Sequence, residues 1–195
     1  MALTQIKSTL LAPQAVGWVH IATVTASDSA TVVLEDGGSP DCVAAFDGTY
    51  NEVMIKLSNI QGANDDVTFN GTLEIGGSYL DTGYEYHVAK ASSAGGATYG
   101  GQASTDDSSL QLTRNTGSTT GEHFNMTIYI SSPDATDNSK TLYWIGGCWS
   151  KSADSQIIQG VGSHNTQTVL TGITFSYSSG NIASGIFSIY GLTQG

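Results

Sequence analysis

A chain of 195 residues with 6 Lys and Arg against 17 Asp and Glu carries a formal charge of 6 − 17 = −11. Such a surface repels phosphate backbones and anionic lipid, so neither nucleic acid nor a membrane is an expected partner. Only 12 % of residues are charged, glycines number 24, and the polar remainder is mainly Ser, Thr and Asn, a composition of short strands joined by many turns.

The length suits one domain that buries about 70 % of its unfolded surface and needs no staples. Residues 1–16 hold apolar groups without alternation and include Pro13, which predicts an extended arm ahead of a domain over 17–195. The apolar run Leu10-Leu11-Ala12 is cut by Pro13 and Gln14, too short for a secretory signal, and no window reaches the length of a membrane span. The expectation is a soluble protein made in the cytoplasm.

Strands follow almost everywhere. Residues 17–25 and 31–35 are rich in β-branched types, and the second run stops at Asp36-Gly37-Gly38-Ser39-Pro40. Over 51–60, Val53, Ile55 and Leu57 point one way and Glu52, Met54, Lys56 and Ser58 the other. Over 67–75, Val67, Phe69, Gly71, Leu73 and Ile75 share one face and Thr68, Asn70, Thr72 and Glu74 the other, the period of a half-buried antiparallel strand. The same pattern recurs at 83–89, 123–131, 172–178 and 185–191. The Gly/Ser/Thr-rich stretch 91–109 has little to bury and reads as a long exposed loop. The best helical candidate is a turn or two near 150–158. Many short strands with frequent turns predict an all-β fold, a single antiparallel β-sandwich of jelly-roll type.

The search for chemistry yields little. His20, His87, His123 and His164 show no metal-site spacing, and His20 and His87 read as partly buried, hydrogen-bonded strand residues. No G-x-S-x-G elbow, Walker loop or dinucleotide fingerprint is present. Asp65-Asp66 and Asp106-Asp107 read as solvated or turn-capping pairs; the sharper alternative, calcium, lacks the loop spacing it needs. Cys42 and Cys148 read as two buried thiols, their pairing being a matter of distance that sequence does not show. No catalytic, metal or cofactor residues are therefore assigned. Tyr143 and Trp144 are the candidate interface residues. Neighbours in a strand face opposite ways, so either the strand is covered on both faces or one ring meets another subunit or a sugar.

The C-terminal segment Thr171–Leu192 reads TGITFSYSSGNIASGIFSIYGL. It resembles the end of a group of small structural proteins of tailed bacteriophages, which close on a strand, an S-S-G-N-I-A-S-G turn and a last strand ending Y-G. YNEVMIKLSNI at Tyr50–Ile60, the Asn64-Asp65-Asp66 turn, Thr72 to Gly77 and Tyr84-Glu85-Tyr86 are similar to the group's core in order and spacing, so the resemblance covers residues 45–192. Glu74 departs from it, standing where the group often has an arginine, so no polar contact is carried over there. Physically, Gly180 and Gly185 can take positive φ, Ile182 can drop inward, Phe187 and Ile189 can face in with Ser188 out, and Tyr190 can bury its ring with its hydroxyl on a backbone partner.

The resemblance implies a non-enzymatic virion structural protein without cofactor. The favoured role is a capsid decoration (cement) protein on the outer head surface, with the major capsid protein or other virion proteins as partners. The alternative is a tail or fibre component that binds a host-surface receptor or glycan. The absence of a coiled-coil or repeat shaft favours decoration, and the symmetry of particles favours a homo-oligomer, a trimer first.

Overall fold

The computed structural model describes residues 17–38, 42, 45–93, 98–150, 152 and 154–193; the expected arm over 1–16 lies outside them. Among the described residues thirteen strands run in chain order: β1 (Trp18–Ser29), β2 (Thr31–Glu35), β3 (Glu52–Gly62), β4 (Val67–Ile75), β5 (Ser78–Tyr79), β6 (Tyr84–Ser92) and β7 (Thr98–Asp107) are followed by β8 (Leu110–Thr116), β9 (Phe124–Ser131), β10 (Lys140–Trp149), β11 (Ser155–His164), β12 (Gly172–Tyr177) and β13 (Ile182–Leu192). They form an antiparallel β-sandwich. The large sheet has the order β1-β13-β3-β9-β10-β11-β6-β7; the small one has the order β2-β12-β4-β5, with β8 also paired to β4. No described residue is helical. The chain passes back and forth between the sheets, so each is built from distant segments.

The alternation read from sequence is what packs the two sheets. Val53, Ile55 and Leu57 of β3, Phe69 and Leu73 of β4, and Phe187 and Ile189 of β13 are all buried. At the centre, Phe69 from the small sheet meets Phe124 edge-on at 5.0 Å and Tyr177 at 5.0 Å. Phe175 stacks on Phe69 at 5.8 Å and touches Phe187 of the large sheet at 5.5 Å. Such pairs each add about 0.5–1.5 kcal/mol beyond area burial. A bulge adjusts the pattern in β3: Asn59 takes φ 53°, the register with β9 shifts between Leu57 and Ile60, and Ile60 rather than Asn59 turns inward.

The C-terminal turn follows the expected logic. Gly180 takes φ 75°, where a Cβ would also lie 2.7 Å from the Asn64 side chain. Asn64 Nδ2 donates to Ser179 Oγ at 3.0 Å, Asn181 Nδ2 donates to Asp28 Oδ1 at 2.8 Å, and Ile182 is fully buried. Tyr190 departs from expectation. It lies half-buried on the outer face, edge-on to His20 at 5.2 Å, because its neighbours Ile189 and Gly191 hold the inward positions.

Two further expectations are corrected. The stretch 91–109 is mostly strand: Thr98–Asp107 pairs with β6 and forms an edge of the large sheet, because an adjacent ladder supplies backbone partners even where side chains bury little. The helical turn near 150–158 is absent from its described part, where Ser155 onward belongs to β11, paired on both sides.

Candidate functional site

The outward-facing side chains of the large sheet form the most distinctive surface. One row crosses all eight strands in register. His20 pairs with Tyr190, Tyr190 with Met54, and Met54 with Tyr129. Tyr129 then pairs with Tyr143, Tyr143 with Val161, Val161 with His87, and His87 with Ala103. Cross-strand partners stand about 4.5–5.5 Å apart, so such a row is a continuous stripe. At its centre the Tyr129 and Tyr143 rings stack at 4.7 Å with an 11° interplanar angle, and Trp18 meets Tyr129 edge-on at 6.0 Å. Ile145 and Trp149 continue the exposed apolar surface along β10, and Ile157 and Val161 along β11; Tyr143 is 46 % exposed and Ile157 50 %.

Tyr143 and Trp144 divide between the two faces. Trp144 is 1 % exposed, and its Nε1–H donates to the Leu112 carbonyl at 2.9 Å, tying β10 to β8 of the other sheet. Its burial removes Trp144 from the contact surface and leaves Tyr143 there. Beside Tyr143 the outer face dips into an open depression of about 420 Å³ whose walls include His87, Ile145, Gln159 and Val161. Partial desolvation, with the nearby Glu52 charge, holds the Tyr143 phenol protonated beyond its ordinary range. The site therefore offers an aromatic face flanked by imidazole and amide groups, equipped for stacking and hydrogen bonding.

The other residues singled out from sequence have structural partners. His20 and His87 are exposed on the outer face rather than partly buried, since both fall on the solvent side of their strands. His20 Nε2 lies 2.8 Å from Thr23 Oγ1. His164 is the buried one: its Nε2 lies 2.9 Å from the Thr82 carbonyl and its Nδ1 accepts the Thr166 N–H, a pattern that fixes the neutral tautomer with the proton on Nε2. Asp65 accepts from Ser118 N–H and Oγ–H, Asp66 accepts from Asn115 Nδ2, Asp106 from Gly83 N–H, and Asp107 from the Tyr86 hydroxyl. These are turn and strand caps. Among the described residues no three His, Cys, Asp or Glu side chains gather as a metal set. Cys42 is buried. Cys148 is half-buried, its Sγ 3.7 Å from Gln156 Oε1, and burial pushes its thiol up to about 11, away from thiolate chemistry.

One pairing had no signal in the sequence. Gly172 of β12 lies in register between Glu35 of β2 and Glu74 of β4. A Cβ there would fall 2.8 Å from Glu35 Cβ and 2.9 Å from Glu74 Oε2, so glycine makes the room in which the two carboxyl groups meet. Burial, then the neighbouring Glu35 carboxyl, push the Glu74 carboxyl up to about 7. A glycosidase needs its carboxyl groups roughly 5–10 Å apart around a sugar. Glu74 is 5 % exposed and its Oε2 has no hydrogen-bond partner, so the pair reads as a buried structural contact between two carboxyl groups.

No protein-family model matches the chain, and no curated protein is similar to it.

Proposed function

We propose that the chain is a non-enzymatic structural protein of a tailed-phage virion, a decoration protein bound to the outer head surface. It uses the outer face of its large sheet to contact the major capsid protein or another virion protein. The observation that carries the contact is the aromatic and aliphatic stripe through Tyr129, Tyr143 and Val161, with Ile145, Trp149 and Ile157 exposed beside it. Isolated exposed apolar groups are ordinary, but a contiguous patch rimmed by polar residues marks a surface that is covered in the working assembly. The virion assignment rests on the likeness of Thr171–Leu192 to the phage group. The strong negative charge suits a position away from packaged DNA. We place the protein as a homotrimer on symmetry axes of the head.

A second reading is favoured by the depression beside Tyr143, whose aromatic wall, His87 and Gln159 match what a sugar ring requires: a tail component binding host glycan. Copy number separates the two. Hundreds of copies per particle spread over the head in electron micrographs support decoration; a dozen at the tail overturn it. For the surface itself, Tyr143→Lys with Val161→Lys should abolish binding to undecorated heads while leaving the fold intact, and undiminished binding refutes this face as the anchor.

A further inference from the structure

A cleft of about 100 Å³ opens between the β6–β7 end of the large sheet and β8 of the small one, on a different part of the molecule from the aromatic stripe. Only four basic residues fall among the described ones: Lys56, Lys90, Arg114 and Lys140. Two of them, Lys90 and Arg114, line this one cleft. In a chain of net charge −11 that convergence is costly to leave idle, and among the described residues neither cation makes an ion pair with a carboxylate. Thr113 lines the same cleft, is 1 % exposed, and its buried Oγ1 has no hydrogen-bond partner. A buried hydroxyl without a partner is costly, and native proteins leave few such groups unsatisfied. Gln102 also lines the cleft, its Oε1 accepting from Gln111 Nε2 at 3.3 Å, and the remaining walls are apolar or bare. Val88 and Ile158 are buried side chains, and at Gly100 a Cβ would meet nothing within 4 Å, so the β7 side is open space.

We propose that this cleft binds a small organic carboxylate, the acid group held by Lys90 and Arg114 with Thr113 donating a hydrogen bond, and a short apolar stem lying on Val88 and Ile158. Two cations at one mouth call for an anion, the apolar walls call for carbon rather than a fully hydrated inorganic ion, and the volume admits several water molecules' worth of ligand. The carboxylate can belong to a free small acid or to an acidic sugar of a polysaccharide. The site stands apart from the docking face and does not depend on the virion assignment.

The test is a nuclear magnetic resonance titration of the full chain with isobutyrate, glucuronate and inorganic phosphate, each at constant ionic strength. Saturable shifts with isobutyrate at amides of β6, β7 and β8 are expected. Lys90→Met and Arg114→Met should each weaken binding about tenfold, the loss of one charge-assisted contact. Thr113→Val keeps shape and should weaken it severalfold, with the spectrum otherwise unchanged. Glucuronate competing with isobutyrate identifies an acidic sugar as the source; isobutyrate alone identifies a free acid. No saturable shift at tens of millimolar overturns the proposal, as does binding that survives the Lys90→Met/Arg114→Met double variant. Shifts with phosphate but none with isobutyrate overturn the carboxylate assignment.

Discussion

Two adjacent residues should behave in opposite ways, and the contrast tests the placement of both faces. Trp144 fills the core and donates its indole N–H to Leu112 across the sheets. Truncating a buried Trp to Ala costs about 3–5 kcal/mol, and leaving the Leu112 carbonyl without its donor adds to that. In a domain of this size each kcal/mol lowers Tm by about 2–4 °C, so Trp144→Ala should lose roughly 10–15 °C. Tyr143, one residue earlier, keeps only its stack on Tyr129 at 4.7 Å, worth about 0.5–1.5 kcal/mol, so Tyr143→Ser should lose only a few degrees. Differential scanning calorimetry of the two variants gives both numbers. Binding of the same proteins to undecorated heads should fail for Tyr143→Ser. A Tyr143→Ser variant as unstable as Trp144→Ala would refute the assignment of outward and inward faces.

The Glu35–Glu74 pair predicts a pH-dependent stability. A carboxyl whose folded pKa is about 7 against 4.5 unfolded binds more protons when folded, so its contribution to stability is full below about pH 4.5, falls as pH rises to about 7, and then levels. The loss is on the order of 3 kcal/mol, and Glu74→Gln should raise Tm at pH 8 and flatten this part of the profile; an unchanged slope removes the pair as its source. Gly160→Ala should be severely destabilising, because its Cβ would fall 2.3 Å from Trp144 Cζ2 and 2.9 Å from the His87 carbonyl. Combining it with Trp144→Leu should recover part of the loss in chemical denaturation, and strict additivity would show that the indole is not the obstacle.

Local signals carried the strands and their facing. Val67 to Leu73 and Phe124 to Ile130 alternate because the period of two is a property of the strand itself, so their burial was legible residue by residue; at the end of β4 the expected facing fails, since Glu74 is buried and Ile75 only partly so. The strand at Thr98–Asp107 was not, because its existence depends on the β6 ladder beside it rather than on side chains of its own. The Tyr143-Trp144 pair was half-legible. Adjacent residues had to part, but which ring faced inward was set by Gly160 of the neighbouring strand, whose bare backbone leaves the space the indole fills.

The candidate sites were hidden for the same reason in a stronger form. Tyr190, Met54, Tyr129, Tyr143 and Val161 come from five strands, and only register places them in one row. A shift of one residue in any of those strands would turn its member into the core and break the stripe. The inner face fixes that register: Ile55, Ile128 and Trp144 must face inward together, and in doing so they commit Met54, Tyr129 and Tyr143 to face outward together. The sandwich thus aligns an aromatic surface that its own stability does not require. Tyr129 and Tyr143 add little to folding where they stand, which is why the proposed role gives the stripe to contact with a partner.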